Sequence, residues 1–176
     1  MPLFELKGKK PQINPNVVYI SPLATIIGEV IIGEGCTIFE NVVIDADVAP
    51  IYIGNRVNIQ SQSVIHTLSD FPTTIGNNVT IGHRAIVHGA HIEDNVIVGI
   101  GSIIGSYAQV RKGAVIGEGA VVSQKKEIPA RSIAMGMPAK IIKTITEEQE
   151  MNAIKIADYY VKSGRNRARY LKEIKI

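Results

Sequence analysis

The chain has 176 residues and a formal net charge of +3, enough for one domain with a real core and too little charge excess to name an acidic partner. Apolar residues make up 45% but aromatic residues only 5%, with no Trp, so the core has to be built from many small, β-branched layers. One cysteine, Cys36, excludes an internal disulfide and reads as a small buried filler, and the longest uncharged stretch, Asn95 to Val110, is interrupted by Gly, Ser and Gln and is too polar to span a membrane.

The chain opens with MPLFELKGKKPQ, charged and Pro-containing where a secretory signal needs an apolar stretch. The expectation is a soluble, cytoplasmic protein whose residues 1–11 form a lead-in. From residue 12 to 142 an Ile or Val recurs every sixth position, in runs from Ile20 to Ile44, Ile53 to Ile65, Ile75 to Val87 and Ile92 to Ala134. Neither a helix nor an alternating strand has a period of six. Two residues before most anchors stands a small or β-branched residue (Ala24, Val30, Cys36, Ser63, Ala85, Ala90), and Gly follows several anchors, as at Ile32-Gly33 and Ile81-Gly82. Each hexad therefore reads as one short strand plus a corner, with three hexads to a triangular coil. The predicted fold is an all-β solenoid, a parallel β-helix of about six coils and ~30 Å in height.

Residues 143–176 should form a helical segment packed alongside. Thr146 and Gln149 have the form of a capping box, and Met151, Ile154, Ala157 and Val161 recur at helical spacing. Gly164 is expected to interrupt the helix, with a second short one from Arg165 to Ile174. The basic run Arg165, Arg167, Arg169, Lys172 reads as a solvated helix face, so no nucleic-acid partner is expected.

The two breaks in the hexad point to function. Extra residues enter around Asp47-Val48-Ala49-Pro50 and around Leu68-Ser69-Asp70-Phe71-Pro72, and loops on a rigid scaffold are where sites are built. Counting anchors in threes puts Ile44, Ile65 and Val87 on one face. Asp45, His66 and His88, each one residue past its anchor, then form an outward column with members ~5 Å apart, and two imidazoles at that separation can share a metal ion. His83 follows an anchor of a different face and reaches that ion only from a neighbouring chain of a threefold assembly. His91 has no partner in the column and reads as structural.

The segments Asn58-Ile59-Gln60, Ile65-His66, Val79-Thr80-Ile81-Gly82-His83 and Val87-His88-Gly89 resemble the signature of the γ-class carbonic anhydrases of the hexapeptide-repeat superfamily, and Gly136-Met137-Pro138-Ala139 resembles that family's exit from the β-helix. The resemblance implies a left-handed coil and a homotrimer holding zinc, in some members iron or cobalt, through His66, His83 and His88. It also implies that Gln60 orients the metal-bound water, that Asn58 and Asp47 belong to the same catalytic motif, and that Tyr160 approaches the site from the C-terminal helix. The chemistry implied is that of a zinc-dependent lyase of the carbonate dehydratase type, zinc-bound hydroxide adding to carbon dioxide to give bicarbonate.

The chain departs from the family twice. Asp45 stands where the family has Arg, in an Asp45-Ala46-Asp47 segment that replaces Arg-Gly-Asp, and Ser61 replaces an Asp after Gln60. Metal-dependent thioester hydrolysis, acyl transfer of the hexapeptide type with a His as general base, and a non-catalytic trimeric scaffold are the competing readings.

Overall fold

A computed structural model describes residues 3–174 and consists of a parallel β-solenoid followed by one helix. Every anchor from Ile26 to Ala134 is at most 3% exposed, and the small residues two positions earlier are fully enclosed. A sixfold phase kept this strictly follows from the period of a strand, because a slip of one residue would turn the whole apolar set outward.

Strand pairing sorts the anchors into three faces. The first stacks Ile26, Ile44, Ile65, Val87, Ile104 and Val122. The second stacks Ile13, Ile32, Ile53, Ile75, Ile92, Val110 and Ile128. The third runs from Ile20 through Ile38, Ile59, Ile81, Val98 and Ile116 to Ala134. The coil is a left-handed β-helix of about seven turns. One turn beyond the anchor count comes from the N-terminal end: Leu3–Phe4 of the lead-in pairs parallel with Ile26 and Ile27, and Gln12–Ile13, at the start of the predicted β-helix, with Ile31 and Ile32.

Both insertions fall at the corner between the first and second faces. The strand Val43–Ile53 runs through that corner unbroken, with its register against Gly28–Val30 shifted there. The second insertion is a tight loop closed by a Leu68–Phe71 bridge. Thr73 Oγ1 ties it down by donating to the His66 carbonyl at 2.6 Å. Leu68 lies over Gly89, where a Cβ would stand 2.6 Å from its side chain.

The third face is covered by a helix, α1 (Glu147–Tyr170). Its capping box is formed, Gln149 N donating to Thr146 Oγ1 at 3.2 Å and Thr146 N to Gln149 Oε1 at 3.0 Å. At about 1.5 Å per residue its 24 residues span about 36 Å, enough to descend the whole stack. Asn95 to Glu150, Arg56 to Asp158 and Arg167 to Glu40 pin it at successive levels.

Two expectations for this segment are corrected. Gly164 does not interrupt the helix: it is buried within it against Val18, Tyr19 and Thr37, and the segment from Arg165 continues α1 to Tyr170, not a second helix to Ile174. The buried stripe is Ala153, Ala157 and Gly164, while Met151 is 48% exposed. The smallest side chains face the sheet because they let the helix come closest, and the larger apolar ones flank the contact.

Candidate functional site

The corner between the first and second faces carries one group of candidate residues. Asp45, His66 and His88 are direct register partners on three consecutive rungs. The two imidazoles lie nearly parallel, with ring centroids 5.1 Å apart and planes 20° from each other. His88 Nδ1 is 3.0 Å from Ser106 Oγ, which orients the ring and leaves Nε2 uncommitted. Asp47 Oδ1 stands 3.0 Å from His66 Nε2. It is not aligned for a hydrogen bond, and neither it nor the buried Asp45 Oδ1 receives one. Burial, and after it the Asp47 carboxylate, push the Asp45 carboxyl above its ordinary range, with His66 pulling the other way.

The corner between the third and first faces carries the other group. Asn58 and Thr80 are register partners, and Asn58 Nδ2 donates to Thr80 Oγ1 at 2.8 Å. Gln60 Nε2 donates to Asn58 Oδ1 at 3.1 Å, so the amide of Gln60 is fixed with its oxygen uncommitted. His83 stands exposed on the next rung, at the level above Ser61, and Arg84 N donates to the Ser61 carbonyl at 3.1 Å. Tyr160 descends from α1 onto this corner, its ring edge-on to Phe39 at 5.6 Å. Burial pushes its hydroxyl pKa up, and Gln60 beside it works in the opposite direction.

One chain therefore does not bring His83 to His66 and His88. Among the described residues no three His, Cys, Asp or Glu side chains converge as a metal site. The two groups instead occupy the two edges of the first face. Between them runs a charge-free stripe of outward residues, Val43, Val64, Ile86, Ile103 and Val121, stacked in register. Ile86 and Ile103 are each 38% exposed, and none of the described residues covers them.

His91 lies apart on the second face, its Nδ1 against Thr74 Oγ1. Cys36 is enclosed in the core. A groove of about 780 Å³ between the third face and α1 is walled by Ile97, Ile100, Val115, Ile133 and Ile156 and reaches Gln60 and Tyr160. Ser106 and Glu40 were not singled out from the sequence. Register puts Gly105 above His88 and Ser106 one residue further on, so only the side-chain contact identifies it. Glu40, which accepts from Tyr19 and Arg167, had no signal in the sequence either, because its partners come from distant segments. No described helix is long and apolar enough to cross a membrane.

Residues 72–106 match the family described as the hexapeptide repeat of succinyl-transferase. Over 162 residues the chain is 42% identical to a carbonic anhydrase of Geobacillus kaustophilus, covering 92% of this chain and 88% of that one. It is 33% identical over 165 residues to the mitochondrial gamma carbonic anhydrase 2 of Arabidopsis thaliana, covering 90% of this chain and 59% of that protein. Among solved structures, a hexapeptide transferase family protein from Anaplasma phagocytophilum superposes with a TM-score of 0.90 at 33% identity, covering 97% of this chain and 98% of the other.

Proposed function

Because the chain belongs to the γ-class carbonic anhydrase-like family of the hexapeptide-repeat superfamily, we propose that it is a homotrimeric, metal-dependent enzyme that hydrates carbon dioxide. The observation that carries this reading is the division of the histidines between the two edges of one bare apolar face. A contact joining one edge of a subunit to the opposite edge of the next is heterologous, and with a rotation of one third of a turn it closes into a three-membered ring. Three prisms turned inward on this face would cover the Val43–Val121 stripe and bring His83 of each to His66 and His88 of its neighbour.

The side chains suit a metal ion. Two parallel imidazoles share a column, and one of them is already oriented through its other nitrogen, as ligating histidines commonly are. His66 and His88, with His83 of a neighbour, would hold the ion, which as zinc would supply the Lewis acidity that activates a water at neutral pH. The protein's own part is positioning. Ser106 orients the His88 imidazole, Asp47 lies beside that of His66, and the Asn58–Thr80 pair clamps Gln60 so that its Oε1 is the acceptor left for a water proton. Iron or cobalt would be held by the same donors.

Metal analysis with stopped-flow carbon dioxide hydration tests the proposal. The expected result is about one ion per chain, with hydration lost in His66→Ala. Protein that holds metal yet neither hydrates carbon dioxide nor hydrolyses esters would instead support the scaffold reading. The groove that reaches Gln60 and Tyr160, together with the likeness to a transferase family, favours one second reading, acyl transfer or thioester hydrolysis. Turnover of acyl thioesters faster than carbon dioxide would establish it.

A further inference from the structure

We infer that Arg84 of one subunit pairs with Asp45 of its neighbour, restoring a guanidinium beside the histidine column. The inference rests on the shared-site trimer proposed above and names one of its contacts. Asp45 has a buried oxygen, Oδ1, without a hydrogen-bond donor in its own chain. Leaving such an atom unpaired is costly unless something outside the chain satisfies it. The stray donor lies on the opposite edge of the same face. Arg56, Arg111, Arg131 and Arg167 each have a carboxylate partner within the chain. Among the described residues Arg84 has none; nor do Arg165 and Arg169, but both lie on α1, which covers the third face, so Arg84 is the one on an edge of this face. Its Nε donates to Gln62 Oε1 at 2.9 Å, which leaves both terminal nitrogens for a bidentate contact.

The heights match. Rotation about a threefold axis parallel to the prism keeps each rung at its own level. His83, Arg84 and His88 share one rung, and His66 lies one rung below. Arg84 leans down to Gln62, on the His66 level, and Asp45 is the next rung down, one strand spacing of about 4.8 Å away. A neighbour whose His83 reaches the His66–His88 pair therefore brings its guanidinium down toward Asp45. Charge agrees with height, since one edge carries Asp45 and Asp47 and the other carries Arg84 with the uncharged Gln60, Ser61 and Gln62, the one carboxylate there, Glu40, being paired with Arg167. The anion at position 45 is then neutralised from across the interface, and a cation stands near the place where a negatively charged product would form.

A double-mutant cycle on the full chain tests this, with trimer dissociation read by fluorescence-detected sedimentation at constant salt. Asp45→Asn and Arg84→Gln should each weaken the trimer by about 30-fold, and the double variant should be no weaker than either single. The exchange Asp45→Arg with Arg84→Asp should recover most of the loss. Additive losses, or an exchange no better than the single variants, overturn the pair while leaving the shared metal site standing. A wild-type chain that sediments as a metal-holding monomer overturns both.

Discussion

Gly164→Ala is expected to destabilise the protein, although Ala is the better helix former. Gly164 lies inside α1, where replacing Gly by Ala ordinarily gains about 1 kcal/mol. Here an added Cβ would collide with Thr37 Cγ2 and stand 3.0 Å from Val18 Cγ1 and 3.2 Å from Tyr19 Cβ. Thr37 is 1% exposed and its strand is held between two others, so the sheet cannot retreat. Rotating its χ1 gives no relief, because a β-branched side chain moves one γ atom into the space another leaves. Overpacking of this kind costs about 1–3 kcal/mol and outweighs the propensity gain, for a net loss of about 1 kcal/mol. The helix should lift at its lower end, drawing Tyr160, one turn away, off Phe39 and Gln60. Urea unfolding at fixed protein concentration measures the loss, and near-ultraviolet circular dichroism reports the tyrosines. A urea midpoint above that of the wild type would refute the reasoning, because it would mean that propensity and not contact governs this position.

The shared site predicts complementation. Neither His66→Ala nor His83→Ala chains should hold stoichiometric metal alone, but each mixed ring of the two has one interface with every histidine present, and metal analysis of co-expressed chains should recover it. Cys36, whose thiol burial pushes up to about 11, should not react with Ellman's reagent at about pH 8 in the native protein and should react fully once unfolded. Glu93 is held below the usual carboxylate range, chiefly by its hydrogen bond from Arg111. A depressed carboxylate stabilises the fold above its unfolded pKa and loses that contribution as pH falls through the folded one. The stability gap between wild type and Arg111→Gln should therefore be full at neutral pH and close in acid, and a gap that widens on acidification would contradict it.

The solenoid was legible because one physical constraint repeats. Each rung must point an aliphatic side chain inward and turn a corner, so Ile26 to Ala134 announce their burial by spacing alone. Leu3–Phe4 lies outside the predicted β-helix and joins the stack all the same, since a pairing of two residues at the end of a stack needs no period of its own. The helix misled for a related reason. The stripe Met151, Ile154, Ala157, Val161 satisfies helical spacing, but a helix on a flat sheet is seated by whichever residues allow the closest approach, and at Gly164 the absence of a side chain is what packs.

The site divides along the same line. Asp45, His66 and His88 could be placed in one column by counting, because backbone hydrogen bonds between rungs impose the register and every outward position inherits it. Counting also separates His83 from that column, and the structure puts the two groups at opposite edges of one face. What counting cannot supply is where long side chains end: Asp47 reaching His66, Arg167 crossing to Glu40 and Arg84 leaning down to Gln62 depend on torsions that no period governs. The departure at Asp45 illustrates the difference. From its position alone it is an anion placed beside the proposed metal site. Together with the direction of Arg84 it becomes half of an ion pair that closes only when a second chain is present. The charge at this corner therefore has to be summed over the assembly, not over one subunit.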